Sequence, residues 1–130
     1  MLHGNLWEAD EAESSRAELQ GFGVYTVDRS TAVGGRSVCI LTNRRLLAGD
    51  ASGHLVQVPL DTVGSARELR EYEPRKGYSY WVVINRAGSA VTDLKGDICL
   101  RCATQAQSRN LVARIEQGAK EARAARRLTS

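Results

Sequence analysis

Residues 36–60 read R-S-V-C-I-L-T-N-R-R-L-L-A-G-D-A-S-G-H-L-V-Q-V-P-L, and this stretch decides the fold. Alternating apolar residues mark a first run at 38–42, and further apolar runs occupy 45–48 and 54–58. Asn43-Arg44 separates the first two runs, and the turn-forming sequence G-D-A-S-G separates the last two. Short apolar runs joined by turn residues predict the strands of an antiparallel meander.

Further strands are predicted on both sides of this meander. Alternation and β-branched or aromatic residues place them at 18–28, 62–72, 78–85, 89–94 and 98–102. Gly34-Gly35 predicts a turn into the meander. Pro59-Leu60-Asp61 interrupts pairing because proline has no N–H to donate to a sheet. The segment 73–77, E-P-R-K-G, is predicted to be a cationic loop.

The apolar period then changes from two to 3.6 residues, which predicts one closing helix. Thr104-Gln105-Ala106-Gln107 is a capping-box sequence, in which the threonine hydroxyl accepts the Gln107 amide and the Gln107 side chain reaches back. An apolar stripe follows at Ser108, Leu111, Val112, Ile115 and Ala119. Beyond Gly118 the helix offers mostly alanine for burial, so its end is expected to project from the domain.

Length and composition predict one domain with one core, since the chain has 130 residues and is 42% hydrophobic. We expect an acidic, loosely ordered lead-in at 1–15 that Trp7 anchors, a domain at 16–127 and a tail at 128–130. No apolar run is long enough to span a membrane, and the first residues do not resemble a signal peptide. Three cysteines, an odd number, favour a reducing, intracellular setting over a disulfide framework.

The charges are distributed unevenly along the chain. Residues 1–73 hold 11 acidic and 7 basic side chains, a net charge of −4, whereas residues 74–130 hold 4 acidic and 11 basic, a net charge of +7. This asymmetry favours an anionic partner for one face of the protein. A solvated basic helix would give the same asymmetry without any partner.

The sequence offers no catalytic constellation, so a binding module is predicted rather than an enzyme. Cys99-Leu100-Arg101-Cys102 has the spacing of half a zinc site, but the other candidate ligands, Cys39, His3 and His54, are scattered, and buried apolar cysteines are the favoured interpretation. Gly21-Phe22-Gly23 lacks the third glycine and the following helix of a dinucleotide-binding loop. Neither a metal nor a cofactor is expected.

The best candidate site is the cationic loop together with its neighbours. Arg70, Arg75 and Lys76 lie at and just past the end of one predicted strand, and Arg86 closes the next, so a hairpin is expected to bring all four to one rim. Such a rim suits the phosphates of a lipid headgroup. The alternative is that these are ordinary solvated loop residues.

Two other possibilities carry less weight than this rim. A second cationic cluster, Arg29 and Arg36, flanks the first hairpin. Nucleic acid is not expected as a partner, because the aromatic residues Tyr78, Tyr80 and Trp81 are predicted to pack against the core.

The order of about seven antiparallel strands and one closing helix resembles a PH-like split barrel. The residues I-L-T-N-R-R-L-L at 40–47, a glycine-rich turn and V-P-L-D at 58–61 resemble the signature of GRAM and related PH-like domains. With Trp7, the G-V-Y at 23–25 and the basic helix from near Gln105, residues 7–127 resemble the GLUE domain at the N-terminus of ESCRT-II subunits of the Vps thirty-six type. The resemblance implies an α+β, mainly β, PH-like split barrel of about seven antiparallel strands capped by one C-terminal helix.

The same resemblance implies a non-catalytic adaptor in endosomal protein sorting. Such a module binds phosphoinositide headgroups and, in some members, ubiquitin, with other ESCRT subunits as further partners. It would be cytoplasmic and peripherally associated with the endosomal membrane. The lipid site implied for GLUE domains lies away from the first hairpin, which favours Arg70, Arg75, Lys76 and Arg86. The alternative is a PH-like protein-interaction scaffold that binds no lipid.

Overall fold

The computed structural model describes residues 10–25, 33–86 and 97–129, which form one sheet and one helix. The elements are β1 (Glu13–Tyr25), β2 (Val33–Thr42), β3 (Arg45–Asp50), β4 (Leu55–Pro59), β5 (Val63–Glu73), β6 (Gly77–Arg86), β7 (Asp97–Cys102) and α1 (Gln105–Thr129). A short 3-10 turn, Leu60–Thr62, links β4 to β5. The strands are antiparallel in the order β4-β3-β2-β1-β7-β6-β5. Among the described residues, this confirms the predicted seven-stranded, PH-like sheet with its C-terminal helix.

The first strand is shared by the two halves of the sheet. Its first part pairs with β2 from Glu13 to Phe22, and its last part pairs with β7 from Gly21 to Tyr25. The register with β2 shifts between Leu19 and Gly21, at the point where pairing with β7 begins. An irregularity of this kind bends a strand and increases its twist. The sheet therefore curls into a half-barrel.

The core fills the inside of this curl, and α1 packs across it. The predicted helical stripe is confirmed, because Leu111, Ile115 and Ala119 are buried against the sheet. Gly118 allows the close approach, since a Cβ atom at this position would lie 3.2 Å from Leu60 Cδ1. The buried core residues are Leu19, Phe22, Cys39, Leu41, Leu46, Ala48, Val58, Leu60, Val63, Ala66, Val82, Ile84, Ile98, Leu100, Cys102, Leu111, Ile115 and Ala119.

Several buried apolar residues alternate with these core residues along the strands. They are Ile40, Leu47, Trp81, Val83 and Cys99. Because successive side chains of a strand point to opposite faces, these residues lie on the face of the sheet opposite the core. Central strands shielded on both faces have continuous rather than alternating apolar sequences. This accounts for the runs V-C-I-L and W-V-V-I.

The C-terminal half of α1 stays close to the sheet, contrary to the prediction that it projects. Arg123 Nη1 donates to the carbonyl oxygen of Val63 at 2.6 Å, and Arg126 Nη1 donates to Asp61 Oδ2 at 3.3 Å. Long cationic side chains therefore add to the apolar packing of Ala119 and Ala122 in holding this part of the helix. Among the described residues no helix has the length and apolar character needed to cross a membrane.

Two boundaries also differ from the sequence prediction. Strand β1 begins at Glu13 rather than at 18, so the predicted loose lead-in contains the start of a paired strand. Gly34-Gly35 lies inside β2, where Gly34 pairs with Gly21, and not in a turn, since glycine can join a ladder as well as end one. Trp7, the end of the predicted strand at 26–28 and the predicted strand at 89–94 lie outside the described residues.

Candidate functional site

The turn between β5 and β6 forms an exposed end of the sheet, which we call the hairpin tip (residues 70–80). Residues 74–76 form the turn, and Lys76 N donates to the carbonyl oxygen of Glu73 at 3.0 Å. Gly77 closes the turn with φ +83°, a backbone conformation that other residues adopt only with strain. The predicted loop at 73–77 is therefore confirmed as a tight hairpin.

Tyrosine side chains line one side of the hairpin tip. Tyr72 lies opposite Tyr78 across the strand pair, with ring centroids 5.1 Å apart, and Tyr80 follows with its ring 6.5 Å from that of Tyr78. Tyr72 is 60% exposed and Tyr78 is 53% exposed. The guanidinium carbon of Arg70 lies 4.8 Å from the Tyr78 ring centroid, within the range of a cation–π contact.

Three of the four predicted site residues lie at this tip. Arg70, Arg75 and Lys76 are exposed, and Lys76 Nζ lies 3.8 Å from Glu73 Oε2. With Glu71 and Glu73, the segment 70–76 holds three cations and two carboxylates, a net charge of +1. The tip is thus only weakly cationic, and its exposed aromatic surface is its more distinctive property.

Arg86 lies at the opposite end of the same hairpin, so the prediction that it shares one rim with the other three is wrong. Its backbone pairs with Val63, whereas the tip pair is Glu73 with Gly77. Strand β6 contains 10 residues, which at about 3.3 Å each separate its ends by about 30 Å. A hairpin pairs residues that are equally far from its turn. Arg86 is the last residue of β6, so it pairs with the first residue of β5 and lies at the end away from the turn. The Arg86 side chain and Arg29 lie outside the described part of the chain, and Arg36 is exposed on β2.

Sequence reasoning missed the exposed tyrosines. It predicted that Tyr78, Tyr80 and Trp81 pack against the core, but only Trp81 is buried, where its Nε1 donates to Ser79 Oγ at 3.0 Å. The core on this face ends at Val82, so the tyrosines two and four residues nearer the turn lie beyond it. In the sequence, Tyr72 directly precedes Glu73 and Tyr78 directly follows Gly77, the two residues that flank the turn. This closeness to the turn was the sequence signal that the two rings are exposed.

A second cluster of polar contacts surrounds the turn between β2 and β3. Asn43 fixes the chain segment before β1: its Oδ1 accepts from Ala12 N at 2.8 Å, and its Nδ2 donates to the Asp10 carbonyl oxygen at 3.1 Å. Arg44 binds the Asp10 carboxylate with Nε 2.9 Å from Oδ1 and with Nη2 in contact with both oxygens. The hydrogen bonds from Arg44 hold the pKa of Asp10 below its usual value.

The neighbouring carboxylate, Glu11, is fully shielded from solvent. Arg45 reaches it with two nitrogens, Nε at 2.9 Å from Oε2 and Nη2 at 3.1 Å from Oε1, and the Thr42 hydroxyl donates to Oε2 at 2.5 Å. Arg45 Nη1 also donates to Gln57 Oε1 at 2.7 Å. The signature residues at 42–45 therefore attach residues 10–12 to the sheet.

A groove of about 580 Å³ opens beside this turn, and we call it the turn groove. It lies between the β2–β3 turn, the end of β4 and the C-terminal half of α1. Its lining residues are Asp10, Asn43, Arg44, Arg45, Gln57, Pro59, Asp61, Ala122, Ala125 and Arg126. Both charge signs line it, so it suits a polar ligand.

The cysteines are buried and unbridged, as the sequence interpretation favoured. Burial raises the pKa of Cys39 to about 12 and that of Cys102 to about 11, so both are neutral thiols at physiological pH. Within the described ranges, no group of three or more His, Cys, Asp or Glu side chains is placed to hold a metal ion.

Solved PH-domain structures are similar to this chain. The structure described as the Vps36 N-terminal PH domain matches with a TM-score of 0.59 and 13% identity, covering 85% of this chain and 83% of that one. The N-terminally truncated linker-DH/PH domains of p115-RhoGEF match with a TM-score of 0.57 and 17% identity, covering 89% of this chain and 31% of that chain. No family model matches the sequence, and neither does any curated protein. At these identities the likeness shows the fold, and the chain has the fold of a PH-like domain.

Proposed function

We propose that this chain is a non-catalytic adaptor module that binds phosphoinositide-containing membrane surfaces through its hairpin tip. The observation that carries the proposal is the pairing of exposed tyrosines with exposed cations at one end of the sheet. Tyrosine rings are amphipathic and partition to the boundary between headgroups and acyl chains. Arginine and lysine near an anionic leaflet each contribute about 1 kcal/mol to binding.

The geometry of the tip supports a membrane surface as the partner. Arg75 and Lys76 lie in the turn itself, so they would meet the headgroup phosphates first. Tyr72 and Tyr78 form the second strand pair behind the turn, so their rings reach the membrane interface when the hairpin lies with its tyrosine side against the membrane.

The cellular setting is also a proposal. The likeness to the Vps36 N-terminal PH domain and the GLUE-type resemblance of the sequence support an endosomal, ESCRT-II-like role in protein sorting. The protein would then be cytoplasmic and peripherally attached to endosomal membranes.

Vesicle co-sedimentation across individual phosphoinositides tests the lipid proposal. Arg75→Glu combined with Lys76→Glu is expected to weaken binding by about 2 kcal/mol or more, roughly thirtyfold. The matched control is Arg114→Glu with Lys120→Glu, which makes the same charge change on exposed positions of α1. Equal binding by the wild type and the tip variant, or no binding to any vesicle, would contradict the proposal.

A second candidate function, protein docking on α1, is favoured by a groove of about 370 Å³ between the helix and the end of β2. Its lining combines apolar, amide and charged side chains, which suits a protein partner. Among the lining residues are Leu41, Asn110, Ala113, Arg114, Gln117 and Glu121. Ubiquitin is the partner that the sequence resemblance suggests. An NMR titration with ubiquitin should shift amides of Asn110–Gln117, and a spectrum without shifts would exclude it.

A further inference from the structure

We propose that the turn groove is an anion-binding site for a phosphate monoester, and that the Asp10 carboxylate occupies part of it as an internal competitor. The site lies near the Val63 end of β5, away from the hairpin tip, and does not depend on the membrane function proposed above. Its volume, about 580 Å³, falls within the range of small-molecule sites.

The contact between Arg44 and Asp10 shows the kind of group that the groove accepts. The planar guanidinium meets both carboxylate oxygens, and its Nε also lies 2.9 Å from one of them. The same fork matches two oxygens of a phosphate. A phosphate monoester therefore has a preformed partner at the place where the aspartate oxygens now lie.

Asp10 can leave this position without disturbing the fold. The side chains of Asp10 and Arg44 are 69% and 47% exposed, so solvent screens their attraction. Glu11, by contrast, is fully buried on Arg45, and Asn43 holds the backbone at Asp10 and Ala12. Rotation of the Asp10 side chain would break its contacts with the Arg44 guanidinium while the chain segment stays attached.

A phosphate monoester is better suited than a second carboxylate to replace Asp10. It carries close to two charges near neutral pH, and a second guanidinium, that of Arg126, lines the same groove. Arg126 is itself 69% exposed and lies 3.3 Å from Asp61 Oδ2. Asp61 also lines the groove, and its negative charge opposes a bound anion. Asp10 is the carboxylate in contact with Arg44, so its removal should strengthen phosphate binding most.

NMR titration of the full chain with inorganic phosphate, and separately with a soluble inositol phosphate, tests this site. Asp10→Asn is expected to tighten phosphate binding about two- to fivefold, the range for removal of an exposed competing ion pair. The shifted amides should lie at Asn43–Arg45 and Arg126. Adding Arg44→Gln to Asp10→Asn should abolish these shifts.

The matched control is Glu13→Gln, which frees Arg16 from an exposed carboxylate 2.8 Å away and makes the same charge change. It should leave phosphate binding unchanged. Stronger shifts with inositol phosphate than with inorganic phosphate would identify a headgroup-like ligand, and equal shifts would identify the phosphate alone. The site is excluded if Asp10→Asn binds no tighter than Glu13→Gln, or if the Arg44→Gln double variant keeps the shifts. The hairpin-tip variants leave the groove intact, so either proposal can fail without the other.

Discussion

At the scale of single residues, the signature at 42–45 builds the scaffold. The backbone N–H groups of Arg44 and Arg45 both donate to the Thr42 hydroxyl oxygen, at 3.1 and 3.0 Å, which fixes the tight β2–β3 turn. The pattern of these residues was visible in the sequence, but their partners were not. Glu11 lies 34 positions from Arg45 in the chain, and an acidic stretch without an apolar period gives no local sign of burial.

The buried pair of Glu11 and Arg45 leads to a stability prediction. Arg45→Met leaves the Glu11 carboxylate shielded from solvent without its cation, so unfolding free energy should fall by about 3 kcal/mol or more. Urea denaturation measures this. Arg45→Met combined with Glu11→Gln should recover part of the loss, because no buried charge then remains. If Arg45→Met costs no more than Arg44→Met at the exposed pair, the pair does not stabilise the fold in this way.

The buried thiol of Cys39 predicts a dependence of stability on alkaline pH. Its pKa is raised from 9.0 to about 12 by burial, so the unfolded chain loses this proton at lower pH than the folded chain. The free energy of unfolding is therefore unaffected by ionisation of this thiol below about pH 9. It falls as the pH rises toward 12, by up to about 1.4 kcal/mol per pH unit. Urea unfolding between about pH 8 and 10.5 should show a shallower decline for Cys39→Ala than for the wild type. Parallel declines in the two proteins would show that the thiol does not titrate differently on folding.

At the scale of elements, short apolar runs separated by turn residues located the central strands, because strands buried on both faces carry continuous apolar sequences. The start of β1 was missed, since residues 13–16 are polar and gain their order from pairing with β2. Arg86 was assigned to the wrong end of the β5–β6 hairpin, because its pairing with Val63 is also a long-range feature. Strand ends are visible in a sequence, but the end of the sheet to which each belongs follows from hairpin geometry.

The capping box of α1 was predicted, and the structure confirms it with one change of partner. Gln107 N donates to Thr104 Oγ1 at 3.1 Å, while Gln107 Oε1 accepts from Ala103 N at 2.8 Å. Gln107 Nε2 also donates to the Glu18 carbonyl oxygen at 2.7 Å, which links the helix start to β1. The side chain therefore both caps α1 and docks it.

This arrangement predicts that two capping substitutions differ in cost. Thr104→Ala should lower the unfolding free energy by about 1 kcal/mol, the usual cost of a lost N-cap. Gln107→Ala should cost more, since it removes a cap bond and the bond to β1 together. Gln105→Ala, at an exposed neighbouring position, is the control and should change stability little. Thermal or urea unfolding decides, and a Gln107 variant less costly than the Thr104 variant would contradict the docking role.

At the scale of the whole molecule, folding partly cancels the charge asymmetry of the sequence. Cations of α1 lie beside carboxylates of the acidic half: Arg109 Nε is 3.6 Å from Glu68 Oε2, and Arg126 Nη1 is 3.3 Å from Asp61 Oδ2. These two pairs bring cations of the half with net charge +7 against carboxylates of the half with net charge −4. The proposed membrane site is therefore best tested at its own local surface, the hairpin tip.

The hairpin tip should then bind vesicles through two parts that salt can separate. Neutralising the turn cations with Arg75→Gln and Lys76→Gln should weaken binding at low salt and flatten its salt dependence, because charges near the surface are screened within about 10 Å at 0.1 M salt. Replacing the rings with Tyr72→Ala and Tyr78→Ala should weaken binding at every salt concentration and leave the salt dependence unchanged, because apolar burial is not screened. Co-sedimentation at several salt concentrations measures both. A tyrosine variant that binds like the wild type would mean that the exposed rings do not enter the membrane interface, and the tip would then hold lipid by charge alone.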